Sequence, residues 1–149
     1  MELIASIGGG PVALDTSIFI YFIEDHPRYS PLLRHLFAHI DDGGVAAVTS
    51  VVTLLETLVV PYRSGDRELA SKYEATLTNG RGLTVVPIAL SLVRLAAEIR
   101  ATTSVRSADA LQLATAVATS CSAFLTNDRR LPSVSGLKVL QLEEFVSAS

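Results

Sequence analysis

The 149 residues fit most simply into one domain, and a chain of that length buries roughly 70% of its unfolded surface without disulfides or a structural metal. With 49% hydrophobic and 18% charged residues it is no disordered segment, and its single cysteine, Cys121, excludes an internal disulfide and fits a reducing cytoplasm. A net charge of −3 argues against a chain-wide electrostatic grip on nucleic acid. Ten of the twelve basic residues are arginine, however, and its fork suits local phosphate contacts.

Residues 1–10 read as a flexible extension that adds little to the fold, with Ile7-Gly8-Gly9-Gly10 leading into the first strand. Met1-Glu2-Leu3-Ile4 has neither the basic start nor the long apolar stretch of a secretory signal. Residues 11–149 read as a single domain in which continuous apolar runs, predicted as buried strands, alternate with segments of helical period. The strand at 12–14 precedes helices at 18–24 and 31–40; the strand at 45–49 precedes helices at 51–60 and 66–78. The strand at 83–88 precedes helices at 90–100 and 108–119, and strands at 123–126 and 139–140 follow. The apolar stretch 45–60 is too short for an easy membrane span and contains Glu56, so no membrane association is expected. Asp41-Asp42-Gly43-Gly44 and Asn79-Gly80-Arg81-Gly82 are turns entering strands, and Ser147-Ala148-Ser149 is a loose tail. The alternation predicts an α/β fold with a mainly parallel sheet of about five strands.

Four carboxylates fall where this order brings side chains to one sheet edge. Asp15 ends the first strand, and Asp128 follows the fourth by two residues. Glu56 lies under two turns into a helix that Ser50 is suited to cap. Asp109 lies in the first turn of a helix that Ser107 is suited to cap. In open α/β sheets this carboxyl edge is where ligands bind. Two unit charges about 5 Å apart repel by roughly 3 kcal/mol at an effective dielectric near 20, so a cluster of four calls for protonation or a cation. Oxygen ligands suit Mg2+ or Mn2+, which polarise phosphoryl oxygens and acidify a bound water. Each acid also has a purely structural reading. Asp15 would cap the next helix, Asp128 would cap the turn 129–131, and Asp109 would gain from the helix dipole. Glu56 has the weakest such reading, because it sits among Leu54, Leu55, Leu58, Val59 and Val60, where an unpaired buried charge is costly.

"ALDTSIFIYF", "TSVVTLLETLV", "SADALQLATA" and "FLTNDRRL", in this order and on these elements, resemble the PIN domain family, and within it the VapC-type toxins of prokaryotic toxin–antitoxin pairs. The resemblance runs from about Pro11 onward. It implies a three-layer α/β/α fold and a Mg2+- or Mn2+-dependent endoribonuclease, one that hydrolyses RNA through a metal-activated water. It also implies a cognate antitoxin partner, a homodimer and a cytoplasmic location. Matched to the family's motifs, Asp15, Glu56, Asp109 and Asp128 become the catalytic and metal-holding quartet. Thr126 becomes a supporting hydroxyl, and Thr16, Ser17 and Asn127 the commonly polar neighbours. Arg106 and Arg129 flank the quartet and are candidates for RNA phosphate contacts, with Arg130 more readily a solvated rim residue. Two other readings stay open, an inactive PIN domain that binds RNA or protein and an aspartate-based phosphatase. The latter lacks a second aspartate at Ser17. His35 and His39, at helical spacing, read as an exposed face rather than zinc ligands, and Cys121 as a packed thiol.

Overall fold

The computed structural model describes residues 2–134 and 136–146. Strands β1 (Val12–Leu14), β2 (Ala47–Ser50), β3 (Leu83–Val86), β4 (Ala123–Thr126) and β5 (Lys138–Gln141) form one sheet. Their order is β3-β2-β1-β4-β5 and every pairing is parallel, as the alternation predicts. The helices are α1 (Glu2–Ile7), α2 (Thr16–Ile23), α3 (Ser30–Asp41), α4 (Val51–Ser64), α5 (Arg67–Asn79), α6 (Leu90–Thr102) and α7 (Ser107–Ala118).

Successive side chains of a strand face opposite sides of the sheet, and that parity divides the core in two. Val12 and Leu14 of β1, with Ala123 and Leu125 of β4, join Phe19 of α2, Leu36 of α3 and Tyr73 of α5. Ala13 and Phe124, one residue out of step, join Leu92 and Ile99 of α6 and Leu113 of α7 on the other face. Continuously apolar strands are therefore needed here, because both faces are covered.

Three features depart from expectation. Residues 1–10 are not an idle extension. Leu3 and Ile7, four apart and so on one side of α1, are fully buried in the first core. The Ser122 hydroxyl donates to the Ile7 carbonyl at 2.5 Å, and Lys138 Nζ donates to the Ser6 carbonyl at 2.6 Å. Second, α4 does not stop before Pro61 but runs through it and ends at Gly65, which takes the left-handed φ of 70° that glycine tolerates. Third, Ser107 begins α7 instead of capping it; its hydroxyl accepts from Arg100 at 3.0 Å. The turn into β3 is as expected. Gly82 sits at φ 71°, and a Cβ there would collide with the Ile40 carbonyl. The tail 147–149 lies outside the described residues.

Candidate metal centre

The chain leaves β1 toward β2 and β3 on one side, then crosses to β4 and β5 on the other, so the strand order reverses between β1 and β4. A crevice opens beyond the carboxyl ends of the strands at such a point. Asp15 emerges there from β1 and Asn127-Asp128 from β4. The two ends are joined directly, with Asp15 N donating to the Leu125 carbonyl at 3.0 Å. Glu56 arrives on α4 and Asp109 on α7. All four acids line one concavity of about 450 Å³, together with Thr16, Ser17, Ile20, Tyr21, Asn127 and Arg130.

Each acid is held differently. Asp15 Oδ1 accepts from Thr16 N at 2.8 Å and so caps α2, while Oδ2 accepts from the Thr126 hydroxyl at 2.6 Å. The capping role and the place in the cluster are thus compatible. Burial pushes the Asp15 carboxyl above the ordinary range despite these bonds, and the charges of Asp109 and Glu56 push it the same way. Asp128 is the opposite case. Arg130 donates to it through Nε at 3.0 Å, Nη2 at 3.1 Å and its backbone N at 2.9 Å, holding the carboxyl below the ordinary range. Asp109 is mostly buried and has the Arg106 guanidinium 3.8 Å away.

Glu56 corrects the expectation of a costly buried charge. Its side chain is exposed, because its neighbours Leu55 and Val60 are themselves 65% and 66% exposed on the outer side of α4. What fixes Glu56 is a hydrogen bond from the Thr16 hydroxyl at 2.6 Å. Thr16 belongs to a polar cluster beneath the acids. Gln112 Nε2 donates to the hydroxyls of Thr16 at 3.2 Å and Thr53 at 2.8 Å. Thr53 and Thr49 hydroxyls lie 2.7 Å apart, and Thr49 donates to the Leu14 carbonyl at 2.8 Å. Gln112, Thr53 and Thr49 are buried and were not among the expected site residues. The signal was present in their spacing. Gln112 is three residues after Asp109, Thr53 three before Glu56, and Thr49 four before Thr53, all on shared helix faces or strand ends. Gln112→Leu removes the amide donor that the Thr16 and Thr53 hydroxyls share, and is expected to destabilise the protein by about 1–3 kcal/mol, measured by urea unfolding.

The remaining expected residues sort by position. Thr126 Oγ1 also accepts from Asp128 N at 3.0 Å, linking two of the acids. Asn127 lines the concavity but turns its Oδ1 to Glu143 N at 3.0 Å, in the short 3-10 turn Leu142–Phe145 that follows β5. Arg130, not Arg129, reaches the acids; Arg129 is exposed and does not line the concavity. Arg106 lines an adjoining hollow with Asp109, Asp128 and Arg130. His35 and His39 lie side by side with ring centres 4.8 Å apart and planes tilted by 41°, and Cys121 is a buried thiol whose pKa burial raises.

Among the described residues, no three carboxylate, imidazole or thiol groups already converge as ligands of one ion. The donor set nevertheless fits a hard divalent cation. Its groups are carboxylates, its wall is open to water, and the buried Ser17 hydroxyl on that wall has no hydrogen-bond partner in the protein. Mg2+ needs only one or two direct carboxylates, with waters completing its shell.

The family model for the PIN domain matches residues 12–137, which includes all four acids. No curated protein matches the chain. Solved structures share the fold, among them three toxin–antitoxin assemblies. A VapBC2 structure from Rickettsia felis, bound to a DNA fragment from its promoter, is 18% identical with a TM-score of 0.69, over 87% of this chain and 97% of that one. DNA-bound VapBC from Salmonella typhimurium is 18% identical with a TM-score of 0.65, over 90% and 99%. A toxin–antitoxin complex from Klebsiella pneumoniae is 16% identical with a TM-score of 0.63, over 85% and 94%. With the family model spanning β1 to the start of β5, and with this sheet order and this edge of acids, the chain belongs to the PIN domain family.

Proposed function

We propose that the chain is a divalent-metal-dependent endoribonuclease and the toxin of a type II toxin–antitoxin pair. The observation that carries the reading is the convergence of Asp15, Glu56, Asp109 and Asp128, from four separate elements, on one concavity at the strand-order reversal. Asp15, Glu56 and Asp109 would hold one Mg2+ or Mn2+, directly or through water, and Asp128 would serve a second position that fills with RNA bound. The bound ion supplies a Lewis acid that neutralises charge on the scissile phosphate and acidifies water.

The protein's own residues do the rest. Thr126 orients Asp15 and the Asp128 turn, and Thr16 orients Glu56. Asn127 fixes the turn that carries Asp128. Arg106, in the adjoining hollow, and the exposed Arg129 next to Asp128 would contact RNA phosphates. Hydrolysis leaves a 3′-hydroxyl and a 5′-phosphate. Arg130 holds Asp128 in place until the substrate arrives.

The three structural relatives, all toxin–antitoxin assemblies, support a protein antitoxin as partner. So do exposed apolar side chains on α4 (Leu55, Val60, Tyr62) and α6 (Leu90, Val93), which suit an antitoxin segment and a second copy in a homodimer. No helix among the described residues is long and apolar enough to cross a membrane, and action on RNA in the cytoplasm fits that.

The test is cleavage of total RNA by the purified chain with Mg2+ or Mn2+, followed by mapping of new 5′-phosphate ends. Discrete ends that appear with metal and vanish with EDTA are expected. No cleavage with either metal rejects the enzyme in favour of an RNA- or protein-binding PIN module.

A further inference from the structure

We infer that Tyr21, His26 and Tyr29 form a nucleobase-stacking subsite beside the carboxylates, and that it selects the nucleotide next to the cut. The inference rests on the ribonuclease reading.

The three rings form a compact cluster. Tyr21 and Tyr29 centres lie 4.7 Å apart, His26 and Tyr29 4.7 Å, and Tyr21 meets His26 edge-on at 5.1 Å. All three are half-buried. They differ from the other aromatic group, Phe19, Phe22 and Phe37, which carries no polar atom. Tyr21 belongs to the wall of the carboxylate concavity itself. It lies one turn after Ser17 on the same face of α2, and six residues, about 9 Å of helix rise, beyond Asp15. A single nucleotide spans that reach from its phosphate to the far side of its base.

The cluster is also preorganised. His26 N donates to the Tyr21 carbonyl at 2.9 Å, and Ser30 N to the His26 carbonyl at 2.8 Å, folding the loop back on α2. Arg28 grips Glu143 through Nε at 2.9 Å and Nη2 at 2.8 Å. Glu143 N in turn donates to Asn127, in the turn that carries Asp128. The platform and the acids are thus braced to one another. His26 Nδ1 accepts from Arg28 N at 3.2 Å, which puts the neutral ring's proton on Nε2, a donor for a base edge.

Chemistry favours a base over other occupants. The chain carries a net charge of −3, so Coulombic attraction alone holds RNA weakly. Stacking on aromatic rings is the usual supplement, because every base has a π-face and single-stranded RNA can splay one out.

The test uses single-stranded RNA spanning a mapped cleavage site, and the same RNA made abasic at each nucleotide flanking the cut. Tyr21→Leu keeps the apolar bulk and removes the π-face; Tyr21→Phe keeps both. Tyr21→Leu is expected to raise KM about tenfold with kcat within twofold, and Tyr21→Phe to match wild type. One abasic position should raise the wild-type KM by a similar factor and leave that of Tyr21→Leu unchanged. Oligonucleotide binding in EDTA, read by fluorescence anisotropy, should weaken in parallel. His26→Ala, in the loop, should weaken binding in the same direction and guards against misfolding of the Tyr21 variant. Unchanged KM and binding in both Tyr21→Leu and His26→Ala overturn the subsite while wild-type cleavage stands. A loss confined to kcat also overturns it. A wild type that cuts no RNA removes the ribonuclease reading itself, and the subsite with it.

Discussion

Asp15→Asn is expected to abolish metal-dependent RNA cleavage, by at least about 10³-fold, while making the metal-free protein more stable. The two effects have one cause. The Asp15 carboxyl is held above its ordinary range chiefly by burial. Between its unfolded and folded pKa the native state therefore keeps a proton that the unfolded chain has released. Stability falls as pH rises through that window, and the penalty is complete once pH exceeds the folded-state value. Asparagine carries no charge to desolvate. It also keeps an oxygen to accept from Thr16 N, so the α2 cap survives, while its amide nitrogen donates to the Thr126 hydroxyl where Oδ2 accepted. The variant's melting temperature in EDTA at pH 7 should exceed that of wild type, and the gap should close as pH falls below the carboxylate range. Metal reverses the ranking. An ion that binds only the folded state at about a hundred times its Kd adds about 2.7 kcal/mol, which for a chain of this size raises the wild-type melting temperature by about 5–11 °C. Asp15→Asn should show little of that rise. A variant that keeps full cleavage, or responds to Mn2+ like wild type, removes Asp15 from the metal centre.

Removing residues 2–7 is expected to cost more stability than any single change at the site. Leu3 and Ile7 are fully enclosed in the core that includes Val12 and Leu14, of the strand that leads into Asp15. Truncating a buried Leu or Ile to alanine typically costs about 2–5 kcal/mol. Leu3→Ala and Ile7→Ala should each fall in that range by urea unfolding, and a chain starting at Gly8 should lose most of its cooperative transition. Wild-type stability after truncation would mean that α1 does not pack as described.

The same helix shows where the sequence was hard to read. Glu2–Ile7 offers only two apolar positions at helical spacing before a run of glycines. Its burial is decided by tertiary contacts with Ser122 and Lys138, more than a hundred residues away. β1 and β4 lie where the apolar runs predict, because they are buried on both faces and followed directly by polar residues. β2 starts two residues late because the chain is still turning at Gly43, whose φ is 83°. Glu56 departs from expectation for a related reason. A run of apolar letters does not say which side of a helix faces water, and Leu55 and Val60 face outward beside it. The acids themselves were legible because strand order fixes the edge on which they emerge. Their wiring to Thr49, Thr53 and Gln112 was not, because it joins β2, α4, α7 and α2 only in three dimensions.

That wiring has a polarity. An amide nitrogen can only donate, so both protons of Gln112 are spent, one on Thr53 and one on Thr16. Thr49 spends its proton on the Leu14 carbonyl, so Thr53 must point its own at Thr49. Thr16, already accepting, sends its proton to Glu56. Two one-way relays therefore leave a single amide. One ends on the backbone just before Asp15 and the other on a carboxylate of α4. Gln112→Glu keeps the shape of the side chain but replaces the only nitrogen donor with an oxygen, and both relays would have to reverse or break. The direction in which the Thr16 and Thr53 hydroxyls point is thus set from α7, by a side chain that hydrogen-bonds to none of the four acids.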